Sequence, residues 1–212
     1  MALSAAEVRV LGALVEKAFT TPESYPLSIQ ALVTACNQKT SREPVTDLHQ
    51  QEIQEALARL RDRGLAATIQ EVRDRVPKHH HRLGEAMDLD ARDLAVLSVL
   101  MLRGEQTPGE LRARTERYGA SLDLAAVEET LQALAGRSAP LVTNRGRAPG
   151  RSQDRWAHTL GTDEERLQPR VRSTKPRRSD DESLGARVAA LEERVSALEA
   201  AAGLIGRSDP GS

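Results

Sequence analysis

The chain has 212 residues, 39% of them hydrophobic and only 2% aromatic, and a formal net charge of −1 from 30 basic and 31 acidic residues. With Phe19, Tyr25, Tyr118 and Trp156 as the whole aromatic content, cores must be built from Leu, Val, Ile and Ala, which disfavours aromatic stacking platforms and aromatic-lined pockets. The lone cysteine, Cys36, excludes an internal disulfide framework and a multi-cysteine zinc site, and apolar runs such as Leu94–Leu102 are too short to cross a bilayer.

No basic region precedes an apolar stretch at the amino end, so the expectation is a cytoplasmic protein with no membrane contact. Counted over residues 1–86, 87–160, 161–183 and 184–212, neither sign of charge exceeds the other by more than one. A protein that binds nucleic acid with its whole surface would be basic, so any such reading must rest on a local patch.

Ser4 followed by Glu7 reads as a capping box, and Val8, Leu11, Leu14, Val15 and Ala18 give the stripe of a first helix that ends at Thr20-Thr21-Pro22. A second short helix is predicted over Leu27–Cys36, then a polar loop from Asn37 to Val45. A third helix is predicted from Thr46 or Asp47 to Arg63, with Gly64 closing it. Leu65–Ile69 reads as a strand, Glu71–Arg75 as a charged turn, and Val76 towards Leu83 as a return strand.

The pattern then repeats. Leu3–Leu11 lines up with Leu89–Leu97, and Thr21-Pro22 meets Thr107-Pro108 at the same spacing. Ile53, Leu57 and Leu60 correspond to Val127, Leu131 and Leu134, so the first copy carries about twelve extra residues before its third helix. In the second copy Asp90 caps a helix over Ala91–Arg103. Pro108 opens a short one to about Arg117, with Tyr118–Ser121 as the turn, and Asp123 caps a third to Ala135. Leu141–Thr143 and Arg155–Leu160 are strands around a Gly/Pro/Arg-rich loop, Asn144–Ser152.

Three helices followed by a hairpin, twice, predict a mainly α fold with small β-hairpin wings: tandem winged helix-turn-helix domains over residues 1–86 and 87–160. Residues 161–183 read as a flexible charged linker. Over residues 184–205, Val188, Leu191, Val195 and Leu198 form a short heptad seam, which predicts a C-terminal helix pairing two copies as a parallel homodimer.

The stretches "LSAAEVRVLGALVEKAFTTPESYPLS", "ACNQKTSREPV" and "LRGEQTPGELRAR", with "RVPKHHHRL" and "GRSQDRWAHTL", resemble the signature stretches of the bacterial YceH family. The resemblance covers about residues 3–160 and implies tandem winged helices with a helical tail. It implies a fold rather than a particular activity. His79 stands where the resemblance implies an aromatic, Thr40-Ser41 where it implies a Ser-Asn pair, and the Arg/Asp-rich linker after Leu160 departs from it too.

No phosphate-binding glycine loop, dinucleotide fingerprint or HExxH motif is present, so no enzyme, catalytic residue or cofactor is expected. Cys36 on an apolar helix face reads as a small buried residue. His79 and His81 share a strand face, with His80 opposite, but no cysteine or carboxylate pair joins them, so no metal is expected. Asp88, Asp90 and Asp93 are better read as helix capping than as chemistry.

Lys39 and Arg42 in the polar loop are of the type that grips phosphate, and His49, Gln50 and Gln51 lie where a recognition helix reads bases. The competing reading is a solvated loop closed on the first helix. Around the second hairpin, Arg137, Arg145, Arg147, Arg151 and Arg155 face one acid, Asp154. Such a loop suits a phosphate backbone, with Arg145, Arg147 and Arg151 as its contacts. The expectation is therefore a transcriptional regulator that binds double-stranded DNA. The alternative is a structural adaptor that uses its winged helices to bind another protein.

Overall fold

In a computed structural model of the chain, residues 2–70, 76–119, 122–147 and 153–161 are described. The predicted turns Glu71–Arg75 and Ala120-Ser121, together with Arg151, lie outside those residues. So do the linker after Gly161 and the seam Val188, Leu191, Val195 and Leu198.

Helix α1 (Ala5–Thr20) begins at the predicted capping box: the Ser4 amide donates to Glu7 Oε2 at 2.6 Å and the Glu7 amide to Ser4 Oγ at 3.3 Å. Strand β1 (Leu27–Ser28) precedes α2 (Ile29–Cys36), so the second helix starts two residues later than its sequence suggests. Leu27 and Ser28 pair instead with His79 and Lys78. Helix α3 (Gln50–Asp62) likewise starts beyond Thr46 and Asp47. Asn37 is the reason: its side chain accepts from the Leu48 amide at 2.9 Å and donates to the Leu48 carbonyl at 2.8 Å, holding this stretch in a closed loop.

Gly64, at φ 70, follows α3 in the left-handed region. It lets its own amide reach the Arg61 carbonyl and the Leu65 amide reach that of Leu60. Strands β2 (Ala66–Ile69) and β3 (Lys78–His81) pair antiparallel with Thr68 opposite His79, giving a three-stranded sheet in the order β1-β3-β2. The return strand stops short of Leu83, because Leu83–Met87 form a short helix, α4, that buries Leu83 completely.

The second copy contains α5 (Ala91–Arg103), α6 (Pro108–Thr115), a 3-10 turn (Glu116–Tyr118) and α7 (Leu124–Ala135). Asp90, Thr107 and Asp123 cap the three helices. Strands β4 (Val142–Gly146) and β5 (Arg155–His158) form a two-stranded antiparallel sheet with an irregularity between Asn144 and Gly146. Strand β5 ends before Leu160, whose carbonyl accepts from the Leu3 amide at 2.7 Å. The described residues are thus mainly helical with two small antiparallel sheets.

The two copies join in one continuous core through α1 and α5. Every residue from Glu7 to Glu16 and from Leu94 to Leu102 is buried. A helix confined to the surface would bury one stripe; α1 meets α2 and α3 on one side and α5 on the other. The crossing is close at Gly12, where a Cβ would lie 3.1 Å from Leu102 and from Met101.

Candidate nucleic-acid interface

The loop that joins α2 to α3 separates the predicted contacts into two groups. Lys39, His49, Gln50 and Gln51 are all exposed. Gln50 Oε1 accepts from Gln30 Nε2 of α2 at 2.7 Å, tying together the amino ends of the two helices. Gln51 Nε2 donates to Glu55 Oε1 at 3.1 Å, and the His49 amide donates to Glu52 Oε2 at 2.9 Å.

Arg42 faces the other way and is corrected here: it is 4% exposed and turned into the protein. Its Nε donates to the Ala35 carbonyl at 3.0 Å, Nη1 to the Ser41 carbonyl at 2.8 Å, and Nη2 to Gln38 Oε1 at 3.0 Å. It also forms a two-pronged ion pair with Glu16 of α1. A buried guanidinium has to be paired and bonded on every side, and this loop is shaped to do that.

Glu16 also pairs with Arg117, from the turn after α6 in the second copy. Arg103 Nη2 donates to Ser41 Oγ at 2.7 Å, Arg117 donates to the same oxygen, and the Glu43 amide reaches the Leu102 carbonyl at 2.8 Å. Burial, with repulsion from Arg114 and Arg117, lowers the pKa of Arg103. This network across the two copies was not read from the sequence. The repeat held a signal for it: Glu16 aligns with Leu102, so a carboxylate occupies a position that the other copy fills with a core leucine.

The second hairpin is less cationic in space than along the chain. Arg145 lies 3.7 Å from Glu105, Arg147 is 3.0 Å from Asp154, and Arg155 is 3.4 Å from Glu110. Arg137 donates to the Asp88 carbonyl at 3.3 Å, and Arg151 lies outside the described residues. Counting charge along a segment missed Glu105 and Glu110, which approach from the end of α5 and from α6. Arg145 and Arg147 still present guanidinium surface, their side chains being 37% and 66% exposed.

Two other sequence candidates are placed as packing residues. Cys36 is fully buried, and desolvation pushes its thiol up to about 12. His79 is buried with Nδ1 3.0 Å from Thr68 Oγ1, and His81 packs beside Tyr25, whose hydroxyl accepts from the His81 amide at 2.7 Å. Among the described residues no three His, Cys, Asp or Glu side chains are grouped to hold a metal ion, and no helix is long and apolar enough to cross a membrane.

Residues 3–151 match the family described as "Protein of unknown function, DUF480". The chain belongs to this family. It is 47% identical over 199 residues to a UPF0502 protein of Solibacter usitatus, covering 94% of each chain. A UPF0502 protein of Klebsiella pneumoniae is 44% identical over 203 residues, and UPF0502 protein YceH of Salmonella paratyphi B is 42% identical over 202, each match covering 93% of both chains. The resemblance to the YceH family drawn from short strings thus extends over nearly the whole length.

Proposed function

We propose that this DUF480 chain is a cytoplasmic, non-enzymatic protein of two winged helix-turn-helix units that binds double-stranded DNA and regulates transcription. What carries the reading is the surface at the amino end of α3. Gln50 and Gln51 stand exposed beside Gln30 of α2, flanked by His49 and Lys39. The glutamine amides suit an adenine edge. Lys39 suits a phosphate. Arg145 and Arg147 contribute backbone contacts from the second hairpin by exchanging exposed carboxylates for phosphates. In this reading the seam Val188, Leu191, Val195 and Leu198 pairs two copies and presents two reading surfaces to one duplex.

The test is fluorescence anisotropy on a labelled mixed-sequence duplex at two salt concentrations. Duplex affinity falls with salt at a slope of about −0.9 per phosphate neutralised, so Lys39→Ala should flatten the slope by about one. Gln50→Ala should change the preference among sites by about 1–3 kcal/mol at one base pair while sparing non-specific binding. Absence of binding at low salt refutes the reading. Sedimentation of the full chain against one ending at Asp181 tests the pairing: equal monomers at tens of micromolar refute it.

A further inference from the structure

The two copies present unlike faces. Helix α3 mixes Arg59 and Arg61 with Glu52, Glu55 and Asp62, whereas α7, its counterpart, contains no lysine or arginine and carries Glu128 and Glu129. Both carboxylates are exposed, and neither has a hydrogen-bond or ion-pair partner among the described residues. They border a groove of about 490 Å³ between α7, the start of α6 and the β4–β5 hairpin. Across it stands Asp154, whose carboxyl is held below the usual range by hydrogen bonds from Asn144 and Arg147. A second, open hollow of about 640 Å³ shares Gln132, Asn144 and Trp156 with it.

The floor is apolar, with Leu131 and Trp156 packed into the core beneath it. At its mouth Leu124 is 45% exposed, one of four exposed large apolar side chains among the described residues. Leu124, Glu128 and Gln132 follow at four-residue spacing, so one row of α7 offers an apolar contact, a carboxylate and an amide in succession.

We infer that the groove between α7 and the β4–β5 hairpin is a docking site for a basic segment of a partner protein. That segment carries arginines or lysines on both sides of one large apolar side chain. Charge complementarity selects this occupant. Asp154 is paired with Arg147, and Glu128 and Glu129 are left without a counter-charge among the described residues, so this face attracts cations. Leu124 and the apolar floor supply an anchor that a mobile counterion would not use. The volume lies within the roughly 300–1,000 Å³ of sites that bury a ligand. The docking rests on Glu128, Glu129 and Leu124, none of which the DNA reading uses, and it stands whether or not DNA is bound.

The experiment selects a random 12-residue peptide library on the immobilised full chain, then measures the enriched peptides, fluorescein-labelled, by anisotropy. Enriched peptides should share arginines or lysines around a leucine, isoleucine or phenylalanine. The double variant Glu128→Arg/Glu129→Arg should lose roughly tenfold or more in affinity, and Leu124→Asp a comparable amount. Circular dichroism and the melting temperature should stay close to those of the parent for the double variant, since Glu128 and Glu129 are exposed and unpaired among the described residues. Lys39→Ala should leave peptide binding intact, and the double variant should still bind duplex DNA. Lack of a basic-apolar consensus, equal binding by the double variant, or loss of peptide on Lys39→Ala alone would each overturn the inference.

Discussion

Replacing Glu16 with alanine tests the buried network between the two copies. Glu16 is 1% exposed and is the carboxylate shared by Arg42, whose side chain is fully buried, and Arg117, whose side chain is 39% exposed. Removing one partner of a buried ion pair costs about 3–5 kcal/mol, because it leaves an uncompensated charge. Arg42 keeps the carbonyls of Ala35 and Ser41 and the amide of Gln38, and Arg117 can turn to water, so the loss belongs at the lower end, about 3 kcal/mol. For a urea m-value of about 2–3 kcal/mol/M, the unfolding midpoint should fall by about 1–1.5 M with little change in slope.

Two companion variants separate charge from packing. Arg117→Ala should cost about 1 kcal/mol or less, since that partner is solvated. The double variant Glu16→Leu/Arg42→Met places at 16 the residue found at 102 in the other copy. It should recover most of the loss, because a buried pair replaced by apolar groups of similar volume is close to neutral. Equilibrium urea unfolding followed by circular dichroism gives all three values. A loss below about 1 kcal/mol for Glu16→Ala would mean that the network is hydrated and the reasoning wrong.

Gly12→Val should destabilise by about 1–3 kcal/mol through overpacking, since its first carbon already meets Leu102 and Met101 at 3.1 Å; an unchanged melting temperature would contradict the close α1–α5 crossing. Cys36 should resist a thiol reagent at pH 8 and react only as denaturant unfolds the chain, because its thiol, pushed up to about 12, stays protonated and enclosed. Burial, reinforced by His80, holds His81 down at about 4 from an ordinary 6.5, so folding expels a proton that the unfolded chain binds. Stability is then fully present above pH 6.5 and is lost as pH falls through 6.5 towards 4, by about 2 kcal/mol between pH 7 and 5. His81→Gln should flatten that slope in urea unfolding at the two pH values, and an unaltered slope would place the titration elsewhere.

Local chemistry was legible along the chain. Ser4 with Glu7, Asp90, Thr107-Pro108 and Asp123 mark helix starts because a cap needs only neighbours three residues away. His49, Gln50 and Gln51 were legible as exposed polar residues, although α3 starts at Gln50 and not at Thr46 or Asp47. The offset between Leu3–Leu11 and Leu89–Leu97 revealed two copies before any contact was known. What the sequence could not disclose depends on partners far apart in it. Arg42 read either as a phosphate contact or as part of a loop closed on the first helix because its partner Glu16 lies 26 positions away, and the wing arginines showed only Asp154 as an opposing acid because Glu105 and Glu110 belong to other elements. Periodicity showed one apolar stripe on α1, and only the fold turned Arg9 and Glu16 into buried charges, Arg9 donating to the Pro44 carbonyl and Glu16 pairing with Arg42 and Arg117. Burial and ion pairing are set by which surfaces meet, within each copy as for Arg42 and Glu16 and between the copies as for Arg117 and Glu16, and tertiary packing decides that rather than neighbours along the chain.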